Sequence, residues 1–308
     1  MTNKLEITFT PILVFGLVFF IATPAFADGA MQLQELTLLK AIILGLVEGL
    51  TEYLPISSTG HLLVTNKILG IGTTPETEAA IETYAIAIQI GAIAAVLVLY
   101  KSRITQMLNG LTGNDVEGTK ILLAVLTAFT PTAIIGLVLK PVVEDNLFGP
   151  FPIAIAWILG GLGILLFVKY KQTNIGLDLG QITTKQAAMI GIAQAIALWP
   201  GTSRSLVTIL AAVLLGLSMK AAVEFSFLLG LITLSAATGL SVLQDGSELV
   251  NQFGYLNPII GLIVAFFAAL ISIKFMVNWL EKRGFKLFGY YRIVIGVLAL
   301  VAISFDKL

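Results

Sequence analysis

Apolar residues fill this chain in long blocks, and the polar interruptions carry more information than the blocks do. Six apolar blocks, at about 80–100, 119–139, 150–169, 220–243, 256–277 and 288–305, are long enough to cross a bilayer, which takes roughly 20 apolar residues in a helix. Two further regions are apolar but broken. Residues 36–70 break at Leu54-Pro55-Ile56-Ser57-Ser58, and residues 185–217 at Trp199-Pro200-Gly201-Thr202-Ser203. Each piece of a broken region is too short to cross alone. The pattern predicts a helix, a break and a second helix that enter and leave on the same side. Irregular backbone at membrane depth is tolerated only against protein or a wet cavity. The expected fold class is an all-α integral membrane protein with six transmembrane helices plus two re-entrant helix pairs.

The order of elements repeats. Each half, about 35–169 and 185–305, holds one broken pair followed by three spans. Gly45-Leu46-Val47-Glu48 matches Gly191-Ile192-Ala193-Gln194, Tyr53 matches Trp199, and Pro55-Ile56-Ser57-Ser58 matches Pro200-Gly201-Thr202-Ser203. Three is odd, so the halves take opposite orientations and form an inverted-topology repeat. Such repeats bring discontinuous helices together near the midplane. Gly160-Gly161-Leu162-Gly163 reads as close helix packing.

Composition narrows the chemistry. The chain is 57% hydrophobic and 12% charged, which fits a multi-spanning membrane protein. Net charge is zero, so no basic field points to nucleic acid. With no cysteine, disulfides, thiolate zinc sites and cysteine nucleophiles are excluded; with one histidine, so is any mechanism that needs two. Residues 1–27 read as a signal peptide: Lys4, an apolar core from Pro11 to Thr23, and Ala25-Phe26-Ala27 as the cleavage site. The membrane-embedded domain is then 31–308. With its start outside, the inner loops carry Lys101 and Arg103, then Lys169, Lys171 and Lys185, then Lys282, Arg283 and Lys286. The outer loops carry Lys140 against Glu144 and Asp145, then Asp245 and Glu248 with no basic residue, which is a positive-inside pattern.

The candidate chemistry sits at the two breaks. Glu48 and Glu52 share one helix face. Ser57, Ser58, Thr59 and Gly60 then lead to His61. The second break gives Gly201, Thr202, Ser203 and Arg204. Free N–H groups at a helix start, hydroxyls and a guanidinium fork suit phosphate or diphosphate. Carboxylates beside an anion are reconciled by a divalent cation, Mg²⁺ or Ca²⁺, on Glu48 and Glu52, or by a glutamate acting as general base. Each residue alone has a plainer reading. The serines could be simple N-caps, His61 a structural hydrogen-bond partner, and Arg204 a partner of Glu224 or a lipid headgroup. Two repeat-related clusters together favour a site.

EGLTEYLPISSTGH (48–61) and PGTSRS (200–205) resemble the two signature motifs of the undecaprenyl-diphosphatase family, the bacitracin-resistance proteins. AIQIGAIAAV, AVEFSFLLG and FKLFGYYRIVIG extend the resemblance over about 35–305. It implies an enzyme that removes one phosphate from undecaprenyl diphosphate, recycling the lipid carrier of peptidoglycan synthesis and conferring bacitracin resistance. It also implies a multi-pass protein of the cytoplasmic membrane, with help from a divalent cation and a site open to the outer side. The implied catalytic residues are Glu48, Glu52, Ser58, His61 and Arg204. Ser58 is the expected nucleophile, His61 or Glu52 its proton acceptor. Ser57, Thr59, Gly60, Gly201, Thr202 and Ser203 are expected to bind substrate. The partners expected are a polyprenyl diphosphate lipid and membrane lipids, with no nucleic acid and with room left for a homodimer. Two departures stand out: Leu206 where the family usually has glycine, and Ile232 where it usually has proline. The rival reading is a transporter or flippase of polyprenyl phosphate lipids, since its architecture is the same. A phosphohistidine lipid phosphatase would need a second histidine.

Overall fold

The computed structural model describes residues 35–170, 176–305 and 307–308. The expected signal peptide lies outside them. α1 (Leu38–Thr51) is capped by Thr37, and after the first break α2 (Ser58–Leu69) begins. Thr74 and Thr77 cap each other's backbone at the start of α3 (Pro75–Ala87), and α4 (Gln89–Leu99) continues it as one apolar span. α5 (Lys101–Leu111), α6 (Val116–Leu147) and α7 (Pro150–Tyr170) complete the first half. The second half runs α8 (Thr184–Gln194), a 3₁₀ turn (Ala195–Leu198), α9 (Arg204–Leu214), α10 (Met219–Phe253), α11 (Leu256–Arg283) and α12 (Lys286–Ser304).

Six spans are long and apolar enough to cross a membrane, and each covers one expected block to within a residue. The helices outrun the apolar blocks. α10 continues past Gln244 and Asp245 to Phe253 because polar residues sustain a helix as well as apolar ones do. α5 was not expected. Its sequence is mostly polar, yet Met107 and Gly110 are buried where it packs on α6. Around the bundle, apolar side chains lack protein cover: on α6, Ile134, Leu137 and Val138 are 58%, 68% and 70% exposed. A helix apolar on its outer face needs lipid there, and the chain is a multi-pass membrane protein.

The halves pack by exchange. α1 lies on α11, in the other half, and α8 lies on α6. Gly45 faces the Gly261 carbonyl and Gly191 the Ala128 carbonyl, and a Cβ on either glycine would collide with that backbone. The third spans of the halves, α7 and α12, pack on each other, with Gly161 against the Gly289 carbonyl. Gly160 and Gly161 of the glycine run in α7 therefore serve packing, whereas Gly163 has open space beside it.

One detail of the repeat is corrected. The expected match of Pro55 with Pro200 is one residue out of register. Glu48 with Gln194, Tyr53 with Trp199 and Ser57 with Ser203 all keep one constant offset, and Ser57 and Ser203 share the same unusual backbone. The prolines stand at different points of the two breaks. On this register Arg204 is the counterpart of Ser58, and Leu206 of Gly60.

Candidate active site

Both breaks start their second helix by the same device. Among the described residues, Ser57 and Ser203 are the only non-glycine residues with positive φ, at 74° and 77°. Each side-chain oxygen accepts an N–H three residues on, Ser57 from Gly60 at 3.4 Å and Ser203 from Leu206 at 3.3 Å. Left-handed backbone costs an L-residue about 1–2 kcal/mol, and such a cap returns about 1 kcal/mol. The remainder is carried by the contacts that hold the breaks.

Those contacts are explicit. Ser205 Oγ donates to the Leu54 carbonyl at 3.1 Å, joining one break to the other. Trp157 Nε1 on α7 donates to the Ile56 carbonyl at 2.9 Å. Arg292 on α12 is fully buried and binds only carbonyls. It donates to Pro55 O at 3.3 Å in the first break and to Gly201 O at 2.8 Å in the second. It also holds Trp157 O at 3.3 Å and Ala156 O at 2.9 Å on α7. Arg292 was not singled out from the sequence. The signal available was a lone arginine inside the last apolar span, where a charge is expensive and needs partners.

The first turns of α2 and α9 line one cavity of about 180 Å³. Of the expected residues, Glu52, Ser57, Ser58 and Thr59 line it from the first break, and Gly201, Ser203 and Arg204 from the second. Arg204 Nη2 meets Glu52 Oε1 at 2.8 Å, and Ser58 Oγ donates to Glu52 Oε2 at 2.5 Å. Arg204 Nη1 donates to the Ser226 carbonyl at 2.9 Å, and the guanidinium lies over the Tyr53 ring at 5.8 Å. Glu224, the alternative partner, pairs instead with Arg103 at 2.6 Å.

Four expected residues stand off the cavity wall. Gly60 packs on Trp157, which a Cβ there would strike. Thr202 donates its N–H to Trp199 O at 3.1 Å within the turn. His61 is fully buried, with Nδ1 at 2.6 Å from Ser57 O and Nε2 at 2.8 Å from the Tyr291 hydroxyl, and it stacks on the Tyr291 ring. Glu48 lies one turn behind Glu52, fully buried, with both carboxylate oxygens unpartnered. Gln89, whose depth in an apolar span already marked it as a site or packing group, lines the cavity too, as do Gln194, Thr132 and Thr233, which were not expected as ligands.

Among the described residues no three His, Cys, Asp or Glu side chains gather as a metal cluster. A hard cation carried by one or two carboxylates plus phosphate oxygens needs no third protein ligand. Glu52 on the wall and the orphaned Glu48 behind it fit such an ion once a phosphate supplies the other oxygens.

Known proteins share this arrangement of sequence. Residues 41–298 match the family model described as bacitracin resistance protein BacA. A protein of Acinetobacter baumannii (strain AYE) named undecaprenyl-diphosphatase is 39% identical over 277 residues, 90% of this chain and 99% of its own. One of Sorangium cellulosum with the same name is 39% identical over 264 residues, 84% of each chain. Undecaprenyl-diphosphatase 2 of Rhodospirillum rubrum is 39% identical over 263 residues, 85% of this chain and 94% of its own. With the match running from α1 into α12 and through both breaks, the chain belongs to the bacitracin resistance protein BacA family.

Proposed function

We infer that this protein is an undecaprenyl-diphosphate phosphatase, which converts the lipid diphosphate to undecaprenyl phosphate and inorganic phosphate. Relatives that bear this name, matched over 99% and 84% of their own length, support the substrate. By the same activity it recycles the lipid carrier of peptidoglycan synthesis and confers bacitracin resistance. The observation that carries the mechanism is one carboxylate, Glu52, held between Ser58 and Arg204 in a cavity where two helices begin.

Ser58 is the nucleophile and Glu52 its base. As Ser58 Oγ attacks the terminal phosphorus, Glu52 Oε2 takes the hydroxyl proton. The bond from that phosphorus to the bridging oxygen breaks, the proton passes to the departing lipid phosphate, and a phosphoserine remains. Glu52 then takes a proton from water, whose oxygen attacks the phosphoserine. It returns that proton to Oγ as the Oγ–P bond breaks. Arg204 and the helix N-termini neutralise the phosphoryl oxygens throughout. Glu48 and Glu52 would hold a divalent cation, which would supply further charge neutralisation. His61, with both ring nitrogens engaged by Ser57 O and the Tyr291 hydroxyl, braces the strained serine and leaves the proton to Glu52.

The protein lies in the cytoplasmic membrane with the cavity reached from the outer face. Basic residues at the ends of the spans support this, since Lys101, Arg103, Lys282 and Arg283 cluster on the loops assigned inside. The test is phosphate release from a polyprenyl diphosphate by the purified protein in lipid nanodiscs. Wild type should release phosphate, and Glu52→Ala and Arg204→Ala should lose it by about 100-fold or more. Normal release by both variants overturns the site. No release by wild type, with labelled lipid moved between leaflets, overturns the enzyme in favour of a flippase.

A further inference from the structure

The cavity has a wall that the transfer step does not use. Gln194 lines it and is 1% exposed. Its Nε2 lies 2.9 Å from Thr132 Oγ1 and 3.5 Å from Thr233 Oγ1. Thr132 spends its own hydroxyl proton on Gly191 O at 2.6 Å, and Thr233 spends its own on Leu229 O at 2.9 Å. Both hydroxyls can therefore only accept from Gln194, and the amide has one orientation. Its Oε1 is left as a pure acceptor, buried and without a partner. Trp199 lines the same cavity, and its Nε1 is a buried donor without a partner. Arg204 Nε is a third such atom.

Buried polar atoms almost always find partners. Two orphaned donors and one orphaned acceptor, all on residues that line one cavity, call for a group with the complementary set: two acceptor oxygens and one hydroxyl. A phosphate that keeps one proton has that set. A sulfate, fully ionised, has acceptors only and leaves Gln194 Oε1 unsatisfied.

We propose that Gln194 and Trp199 form the subsite for the terminal phosphoryl group in its monoprotonated state. The subsite selects hydrogenphosphate over oxyanions that cannot donate. This rests on the phosphatase reading above. Thr132 is the positioning residue, since it fixes which end of the Gln194 amide faces the ligand.

The test uses full-length protein in nanodiscs with inorganic phosphate and sulfate as probes, read both as inhibitors of lipid diphosphate cleavage and as shifts of Tm. Wild type should bind phosphate about tenfold or more tightly than sulfate, the usual loss for one hydrogen bond to a charged group. Gln194→Met should bring the ratio close to one. Thr132→Val, which frees the amide to turn, should lower it as well and serves if the first variant fails to fold. Trp199→Phe should weaken both anions by a similar factor. A phosphate-to-sulfate ratio in Gln194→Met and Thr132→Val equal to wild type overturns the subsite, as does a wild type that does not distinguish the two anions. Wild type that shows no cleavage at all removes the phosphatase reading itself, which is a separate outcome from an active wild type with an unselective cavity.

Discussion

Glu52 and Arg204 are 152 residues apart in the chain, and their side chains meet at 2.8 Å. Both are largely shielded, at 6% and 11% side-chain exposure. Removing one partner from a buried pair strands the other charge, at about 3–5 kcal/mol. Arg204→Met should therefore lower both stability and activity. Glu52→Gln/Arg204→Met should recover part of the stability and none of the activity, because no base remains. A double-mutant cycle on thermal or denaturant unfolding, run beside phosphate release, separates the two effects. Glu52→Gln alone should reduce kcat by about 10²–10⁴, the usual contribution of a general base.

The paired serines make a different kind of prediction. Ser57 and Ser203 combine an uncommon backbone with a side-chain cap. Glycine at either place removes the strain and loses the cap, so Ser57→Gly and Ser203→Gly should change stability by less than about 1 kcal/mol. Alanine keeps the strain and loses the cap, and should cost about 1 kcal/mol. A β-branched residue has poor access to positive φ, so Ser203→Val should cost about 1–3 kcal/mol beyond alanine. The order glycine, alanine, valine in unfolding midpoints checks this. Alanine more stable than glycine at both sites would show that the cap and the backbone are not the terms in balance.

Arg292 should behave as a fastener. Its guanidinium satisfies carbonyls in both breaks and on α7, and Gly160 on α7 packs directly against it. Arg292→Met fills much of the space and leaves those carbonyls short of donors, each at about 1–3 kcal/mol. Arg292→Lys keeps a charge that reaches fewer of them. Both should unfold earlier, with methionine the worse. In the lysine variant KM for the lipid diphosphate should rise while the pH profile stays as in wild type, because Arg292 holds the breaks and takes no proton.

These residues also show which parts of the molecule were legible in the sequence. The six spans and the two breaks follow from apolar block length and from proline, since both are local signals. The pairing of Glu52 with Ser58 lies within one break and was close to readable. The Glu52–Arg204 contact needed the repeat, which supplied the opposite half. The register of that repeat was misread at the prolines, because a proline ends a helix wherever it falls and carries no register. The offset that joins Glu48 to Gln194 and Tyr53 to Trp199 also joins Ser57 to Ser203, but the φ that the two serines share is not displayed by the sequence. Arg292, Gln194 and Thr132 act through carbonyls and amides of distant elements, and a residue that binds backbone leaves no motif. α5 was missed because its burial comes from Gly110 and Gly118 in close backbone contact, not from an apolar stripe.

Chelation tests the carboxylate pair. Glu52 lines the cavity and Glu48 lies behind it with no partner. If these hold a hard cation together with the diphosphate, EDTA should abolish phosphate release, and added Mg²⁺ or Ca²⁺ should restore it. Glu48→Gln keeps the shape and removes one charge, so it should need about tenfold more cation for half-maximal rate, the price of roughly 1.4 kcal/mol. Full activity in EDTA, or an unchanged cation requirement in Glu48→Gln, would remove the cation from this pair.

The resemblance in the second motif leads one to expect glycine at position 206, where this chain carries Leu206, and the structure decides what that leucine affects. Its counterpart in the first half is Gly60, where a Cβ would strike Trp157. Position 206 instead already holds a full side chain. Leu206 is 3% exposed, belongs to the main apolar core with Ile209 and Val213, and does not line the cavity. Its N–H is the one that the Ser203 cap binds, so the backbone there is already set. Leu206→Gly should therefore act on stability before rate. Truncating a buried leucine costs about 2–5 kcal/mol, and glycine in a helix adds about 1 kcal/mol. Leu206→Ala should recover the helix term alone. In both variants kcat per folded molecule should stay within about threefold of wild type, a difference under 1 kcal/mol in the barrier. A rise of tenfold or more in kcat for Leu206→Gly would mean instead that the leucine reaches the phosphates and slows the native enzyme.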